Sequence, residues 1–169
     1  MSTNPAFLKE KDLIAESHTG SGKTIAFVAP LLQKIDADRR EVQAIILAPT
    51  HELVMQIHNQ VNLLAKNAEL PITSLSIMGE VSIDKQIKAL KEKKPQIIVG
   101  SAGRVLDLIS KKKISAHTVH TVILDEADNL LGQNQANTIK KLIHQIPKHR
   151  QLCIFSASIS AVSYTHLTL

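Results

Sequence analysis

The sequence predicts a three-layer α/β domain built on a mostly parallel central sheet. Three observations carry this. Short apolar runs alternate with amphipathic stretches along the whole chain, which is the pattern of repeated β-α units. Several runs, such as Ala44-Ile45-Ile46-Leu47 and Gln96-Ile97-Ile98-Val99, are almost wholly aliphatic, as strands covered on both faces must be. Residues with chemical potential cluster just after the runs, where open α/β sheets bind their ligands.

Leu13-Ile14-Ala15 gives a first strand over 12–15, and a glycine-rich turn follows it. A helix is expected over 23–35 and an aliphatic strand over 44–48. The next helix, 52–65, has Leu53, Ile57, Val61 and Leu64 at helical spacing, forming one apolar face. A strand over 73–78 precedes a helix over 82–91, where Ile83, Ile87 and Leu90 repeat that spacing. Strand 96–100 leads to helix 104–110, and strand 119–125 contains Val122-Ile123-Leu124. Helix 137–145 and strand 151–156 complete the series.

The chain has 169 residues, 44% of them apolar, enough for one domain with a real core. No apolar run approaches the roughly 18 residues of a membrane span, and the start shows no signal-peptide pattern. A cytoplasmic location is expected. The single cysteine, Cys153, sits in Leu152-Cys153-Ile154-Phe155 and reads as a buried structural thiol. Net charge is +5, a weak pointer to a polyanionic partner. Lys111-Lys112-Lys113 reads first as a solvated loop. With three Phe, one Tyr and no Trp, the chain has little surface for stacking bases. A nucleic-acid partner would be held by sugar and phosphate, without regard to sequence.

Ser17-His18-Thr19-Gly20-Ser21-Gly22-Lys23-Thr24 has the spacing of a phosphate-binding loop, with Ser17 in place of the first glycine. Gly20 and Gly22 let the backbone turn and aim amides at phosphate oxygens. Lys23 reaches the β- and γ-phosphates, and Thr24 offers a hydroxyl to Mg²⁺. His18 stands at a variable position of the pattern. About a hundred residues on, Asp125-Glu126-Ala127-Asp128 follows a strand. Asp125 is placed to serve Mg²⁺, directly or through water, and Glu126 to orient and polarise an attacking water. Together the segments describe binding and hydrolysis of a nucleoside triphosphate, most simply ATP. A glycine-rich turn and a helix-capping acidic cluster are the bland alternatives, and each loses force in the presence of the other motif. The eight histidines are scattered and no other metal motif is evident.

In these residues the chain resembles the DEAD-box family of ATP-dependent RNA helicases, and specifically the first of its two RecA-like domains. Pro49-Thr50-His51-Glu52-Leu53-Val54-Met55-Gln56 is similar to P-T-R-E-L-x-x-Q, and Gly79-Glu80 stands where the family has paired glycines. Ser101-Ala102-Gly103-Arg104 is similar to T-P-G-R, Asp125 to Asp128 is the name-giving motif, and Ser156-Ala157-Ser158 resembles S-A-T. The resemblance implies that Pro49, Thr50, His51, Gly79, Ser101, Gly103 and Arg104 line an RNA path, touching sugar and phosphate. It implies that Asp128 hydrogen-bonds toward Ser156 and Ser158, coupling nucleotide state to strand separation. The simpler roles are local: Thr50 capping a helix, Gly103 serving a turn, Ser156 ending a strand. His51, Glu80, Ala102 and Ser158 depart from the family pattern. His51 weakens a phosphate contact, and Glu80 brings a negative charge to the RNA path. Every ATP-contacting position of the domain is retained.

Residues 1–161 are therefore expected to form the RecA-like ATP-binding domain, without a match in 1–10 to the family's adenine-reading glutamine segment. Residues 162–169 do not continue the pattern and read as foreign sequence. A second RecA-like domain is expected in a longer parent protein. Competing readings are a DNA helicase of the same superfamily, another P-loop class such as a transporter ATPase or small-molecule kinase, and a non-catalytic ATP- and RNA-binding module. The P-T-x-E-L-x-x-Q match argues against the other P-loop classes, and retention of Lys23 and Glu126 against the non-catalytic module.

Overall fold

The six strands among the described residues all run parallel. They are β1 (Leu13–Glu16), β2 (Ala44–Leu47), β3 (Ser74–Ile77), β4 (Ile97–Gly100), β5 (Thr121–Leu124) and β6 (Gln151–Ser156). Their order across the sheet is β1-β6-β5-β2-β4-β3. This is a computed structural model, which describes residues 11–17 and 21–158, with only the backbone described at 21–23 and at Gln133. The helices are α1 (Ser21–Lys34), α2 (His51–Asn67), α3 (Ile83–Lys93), α4 (Ala102–Ser110), the short α5 (Ala127–Leu130) and α6 (Ala136–His144). A π-helical turn, Leu131–Gln135, joins the last two.

The sheet order explains the layers. From β1 through β2 to β3 the chain steps toward one edge; from β3 through β4 and β5 to β6 it steps back. Parallel crossovers are right-handed, so reversing direction changes the face on which the helices lie. Phe27, Val28 and Leu31 of α1 and Val54, Ile57 and Val61 of α2 accordingly pack with Ala44, Ile46, Val99, Ile123 and Phe155 of the sheet. On the other face, Leu90 of α3, Val105 and Leu108 of α4 and Ile139 and Leu142 of α6 meet Ile45, Leu47, Ile98, Val122 and Leu124. The aliphatic strands serve both faces by alternation.

All six predicted strands and five predicted helices are present, with ends moved by a residue or two. The α2 stripe differs in detail: Val54, Ile57, Val61 and Ala65 are buried, while Leu53 and Leu64 lie at its margins. In α3 the buried residues are Gln86 and Leu90, with Ile83 and Ile87 partly covered. Cys153 is buried as expected, and burial pushes its thiol up to about 12. At the amino ends of the strands, buried Gln43, Gln96, Thr121 and Gln151 are joined by hydrogen bonds to each other's loops and to Lys34. That end is a polar seal, and the carboxyl end is left for the motifs.

Candidate functional site

The first residue after a strand is held by its neighbour at several places on the carboxyl end. Ser17 N–H donates to Ser156 O at 2.8 Å, Asp125 N–H to Leu47 O at 2.9 Å, and Ser101 N–H to Ile77 O at 3.0 Å. The sheet thus fixes where each motif-bearing turn begins. α1 starts at Ser21, so Ser21, Gly22, Lys23 and Thr24 form its first turn, which carries no acidic side chain. The amides and dipole of a helix's first turn present positive potential. His18, Thr19 and Gly20 lie outside the described residues, as does the side chain of Lys23.

Asp125 leaves β5 almost wholly buried, 1% exposed, and its Oδ1 accepts the Glu126 amide at 2.9 Å. Glu126 has φ 47° and ψ 52°, the left-handed region that favours glycine. Holding a glutamate there costs roughly 1–2 kcal/mol. Its Oε2 accepts from Asn129 Nδ2 at 3.2 Å, so the carboxylate is steadied by the short helix it opens. Strain of this kind is found at sites held by the surrounding structure, and here it falls on a partly exposed acid next to a buried one.

Ser156 connects the two motifs. β6 lies between β1 and β5. Its last residue accepts Ser17 N–H through its carbonyl and Asp128 N–H through Oγ at 3.2 Å, while that Oγ donates to Ser158 O at 2.7 Å. The expected link from Asp128 to Ser156 therefore exists, but through the backbone amide, and it reaches Ser158 by way of Ser156. Asp128 Oδ1 is buried with no hydrogen-bond partner among the described residues, an unusual state for a carboxylate oxygen.

The third group of turns follows β2, β4 and β3. Thr50 caps α2, its Oγ1 accepting Leu53 N–H at 3.2 Å. Pro49 and Ser101 are half-buried beside exposed Gly79 and Gly103. A Cβ placed on either glycine meets nothing within 4 Å, and neither has a positive φ. Their own fold does not require glycine; what glycine does there is keep the backbone bare. Arg104 points back into the protein. Its guanidinium donates to Val81 O at 2.7 Å, Gly79 O at 3.0 Å and Gln86 Oε1 at 2.9 Å. It shapes the Gly79 turn. His51 Nδ1 stands 3.8 Å from Glu80 Oε2, so two positions that depart from the family pattern face each other.

Sequence reasoning missed Gln86 and Gly100. Gln86 Nε2 donates to Met78 O at 2.8 Å while Oε1 takes Arg104; a lone glutamine in an amphipathic stretch gives no signal of this. Gly100 must be small because a Cβ would lie 2.4 Å from Ile77 O. Its strand-end position was the only clue. Two open clefts, of about 710 and 590 Å³, lie at the amino end of the strands and include none of the candidate residues. Lys111, Lys112 and Lys113 are exposed after α4, away from the carboxyl end.

Family and fold are shared with known proteins. The family model described as DEAD/DEAH box helicase matches residues 1–165. A DEAD-box ATP-dependent RNA helicase, CshC, from Bacillus cereus is 42% identical over 92% of this chain and 39% of its own length. A probable ATP-dependent RNA helicase, YfmL, from Bacillus subtilis is 44% identical over 88% of the chain and 39% of its own length. The crystal structure of a DEAD box protein from the hyperthermophile Methanococcus jannaschii superposes with a TM-score of 0.85 at 32% identity, covering 95% of this chain and 43% of that one. The chain thus spans well under half the length of these relatives. With a matching family model, relatives above 40% identity and a shared α/β fold, the chain belongs to the DEAD/DEAH box helicase family.

Proposed function

We propose that this chain is the first RecA-like domain of an ATP-dependent RNA helicase, binding ATP at the α1 amino end and RNA across the turns after β2, β4 and β3. The observation that carries the proposal is Ser156, which ties the start of the phosphate loop to the acidic motif through two hydrogen bonds, one from Ser17 N–H and one from Asp128 N–H. Ser17 to Thr24 cradle the triphosphate, with Lys23 the side-chain cation on it. Glu126 orients the attacking water, and its left-handed backbone fixes its place before substrate arrives.

Mg²⁺ fits the donor set. Thr24 and Asp125 supply a hydroxyl and a carboxylate, both hard oxygen donors, and Mg²⁺ is commonly held by one or two carboxylates together with substrate phosphates. Among the described residues no group of three or more His, Cys, Asp or Glu side chains forms a protein-only metal cage, and this mode of binding needs none. Bound there, the ion neutralises charge on the β- and γ-phosphates.

RNA is read as backbone. Gly79 and Gly103 leave amides open to phosphate and ribose, Thr50 and Ser101 add hydroxyls, and Arg104 holds the Gly79 turn in shape. Asp128 Oδ1 supplies an acceptor that a hydroxyl such as that of Ser158 can fill when the nucleotide state changes. The test is ATP turnover by the full-length parent with RNA, with DNA and with neither. RNA-specific stimulation is expected. In the same protein Glu126→Gln should bind ATP and hydrolyse it far more slowly; turnover within a factor of about two would give the water to another group.

A further inference from the structure

Seven of the chain's 20 Lys and Arg residues, at 111–113, 140, 141, 148 and 150, lie in segments 108–124 and 129–158, which contain no Asp or Glu. The other 13 share the rest of the chain with all 15 acidic residues. The basic excess is therefore local. The fold gathers it further, because α4 packs against α6 and β5 pairs with β6. Of the three helices that share this face of the sheet, α6 has no acid. Glu92 of α3 stands 4.0 Å from Lys88, and Asp107 of α4 stands 3.6 Å from Lys111. Asp84 lies in the first turn of α3, after the carboxyl end of β3.

The cleft of about 710 Å³ opens where α4 and α6 end. Ile109, Ile114 and Ala116 give it apolar walls, and Lys112, His117 and Gln145 stand among its polar ones. No carboxylate lines it among the described residues. Lys141 is exposed one helical turn before Gln145, so the two share one side of α6. Lys112 has φ 58°, the left-handed region. Its N–H donates to Ile109 O at 2.9 Å, and Lys113 N–H donates to Leu108 O at 2.8 Å. This closure of a helix normally takes glycine at the Lys112 position; here it carries a cation to the rim of the cleft. The two helix ends bring roughly half a negative charge each, which Lys112, Lys113 and Lys141 outweigh.

We propose that this cleft docks an acidic segment of a partner protein. One apolar side chain of the segment enters between Ile109, Ile114 and Ala116, and flanking carboxylates rest on Lys112 and Lys141. Charge complementarity selects the acidic residues, and the apolar walls select what lies between them. Segments 108–124 and 133–150 hold no glycine and no aromatic residue. They therefore lack the stacking faces and bare glycine backbone that would favour a nucleic acid. The cleft contains none of the residues assigned above to ATP or RNA, so the inference stands apart from that reading.

The test is fluorescence anisotropy of a labelled peptide of repeated Asp-Glu-Leu, on the full 169-residue chain and on the full-length parent. A peptide with serine in place of leucine and a labelled oligouridylate serve as comparisons. The leucine peptide should bind both proteins, more tightly than the serine peptide, and more weakly as salt is added. Lys112→Gly and Lys141→Gln should each weaken it by about two- to five-fold, the range of an exposed charge pair. Lys112→Gly should do so without lowering the urea midpoint, because glycine suits φ 58°. Ser110→Trp, placed at an exposed lining position, should fill the cleft and erase the advantage of leucine over serine. No binding of the leucine peptide, or binding that none of the three variants changes, would overturn the proposal. Oligouridylate binding that falls in Lys112→Gly and Lys141→Gln, with the peptide unbound, would give the face to nucleic acid instead. Peptide binding to the 169-residue chain but not to the parent would show that the parent covers the face itself, and would overturn it too.

Discussion

Gln86→Leu tests whether the Gly79 turn is held from inside. The side chain is 4% exposed and has two tasks: it donates to Met78 O and accepts from Arg104. Leucine has similar volume, so packing is nearly conserved and the loss is one of hydrogen bonding. A neutral bond contributes about 0.5–1.5 kcal/mol and one to a charged group about 1.5–3. Arg104 keeps Val81 O and Gly79 O as acceptors, so the upper end of the second range does not apply. We expect a loss of about 2–3 kcal/mol. With a urea m-value of roughly 2 kcal/mol/M for a chain of this size, the midpoint should fall by about 1–1.5 M. Equilibrium urea unfolding followed by circular dichroism measures this directly. RNA affinity should fall with it under native conditions, because Gly79 loses its support. A stability change within about 0.5 kcal/mol would show that the two bonds are not what keeps glutamine in the core.

Three further outcomes are expected. Lys23→Ala should weaken ATP binding by about 10- to 150-fold, the value of one charge-assisted contact; unchanged affinity by calorimetry would remove Lys23 from the phosphates. RNA binding by this chain should weaken with salt at a log–log slope of about −0.7 per phosphate contact, so a few contacts give a shallow line and little sequence preference; salt-independent or sequence-selective binding by filter assay would contradict a backbone-reading face. Acid should destabilise the fold through His58, whose ring is held below its ordinary 6.5 first by burial and then by Lys93. Above that value folded and unfolded chains both hold it neutral. As pH falls below it, the unfolded chain takes up a proton that the folded one resists, so stability is lost progressively down through the folded-state value. Urea midpoints against pH should therefore fall more steeply for wild type than for His58→Gln, and parallel lines would acquit the histidine.

The His58 case shows why some of this protein was legible in its sequence and some was not. Strand β6 was read to the residue because Gln151 to Ser156 is an apolar run bounded by turn residues, a signal contained in the segment itself. The motifs proposed for phosphate and Mg²⁺ are visible as patterns for a similar reason, since such chemistry depends on residue types at fixed short spacing. His58 instead belongs to a closed ring with Asn62 and Ser74. With Ser74 donating to Asn62 Oδ1, its oxygen takes the His58 Nδ1 proton, and Nε2 takes a proton from Asn62. The ring joins a helix to a strand, and nothing at any one of its positions announces it.

Gln86 shares that property, as do the inward bonds of Arg104: they form only once the sheet order sets β3 beside β4. The helix past Glu126 was missed for a different reason. Its turn of π-helix and the left-handed Asn134 shift the phase of the apolar pattern between α5 and α6, so no single helical period runs through it. The left-handed Glu126 is likewise invisible to propensity, because glutamate does not favour that conformation; it is imposed by Asp125, Asn129 and the end of β5. Local spacing thus carries the motifs of the proposed site. The residues that hold its turns in place are encoded only by the topology that brings distant segments together.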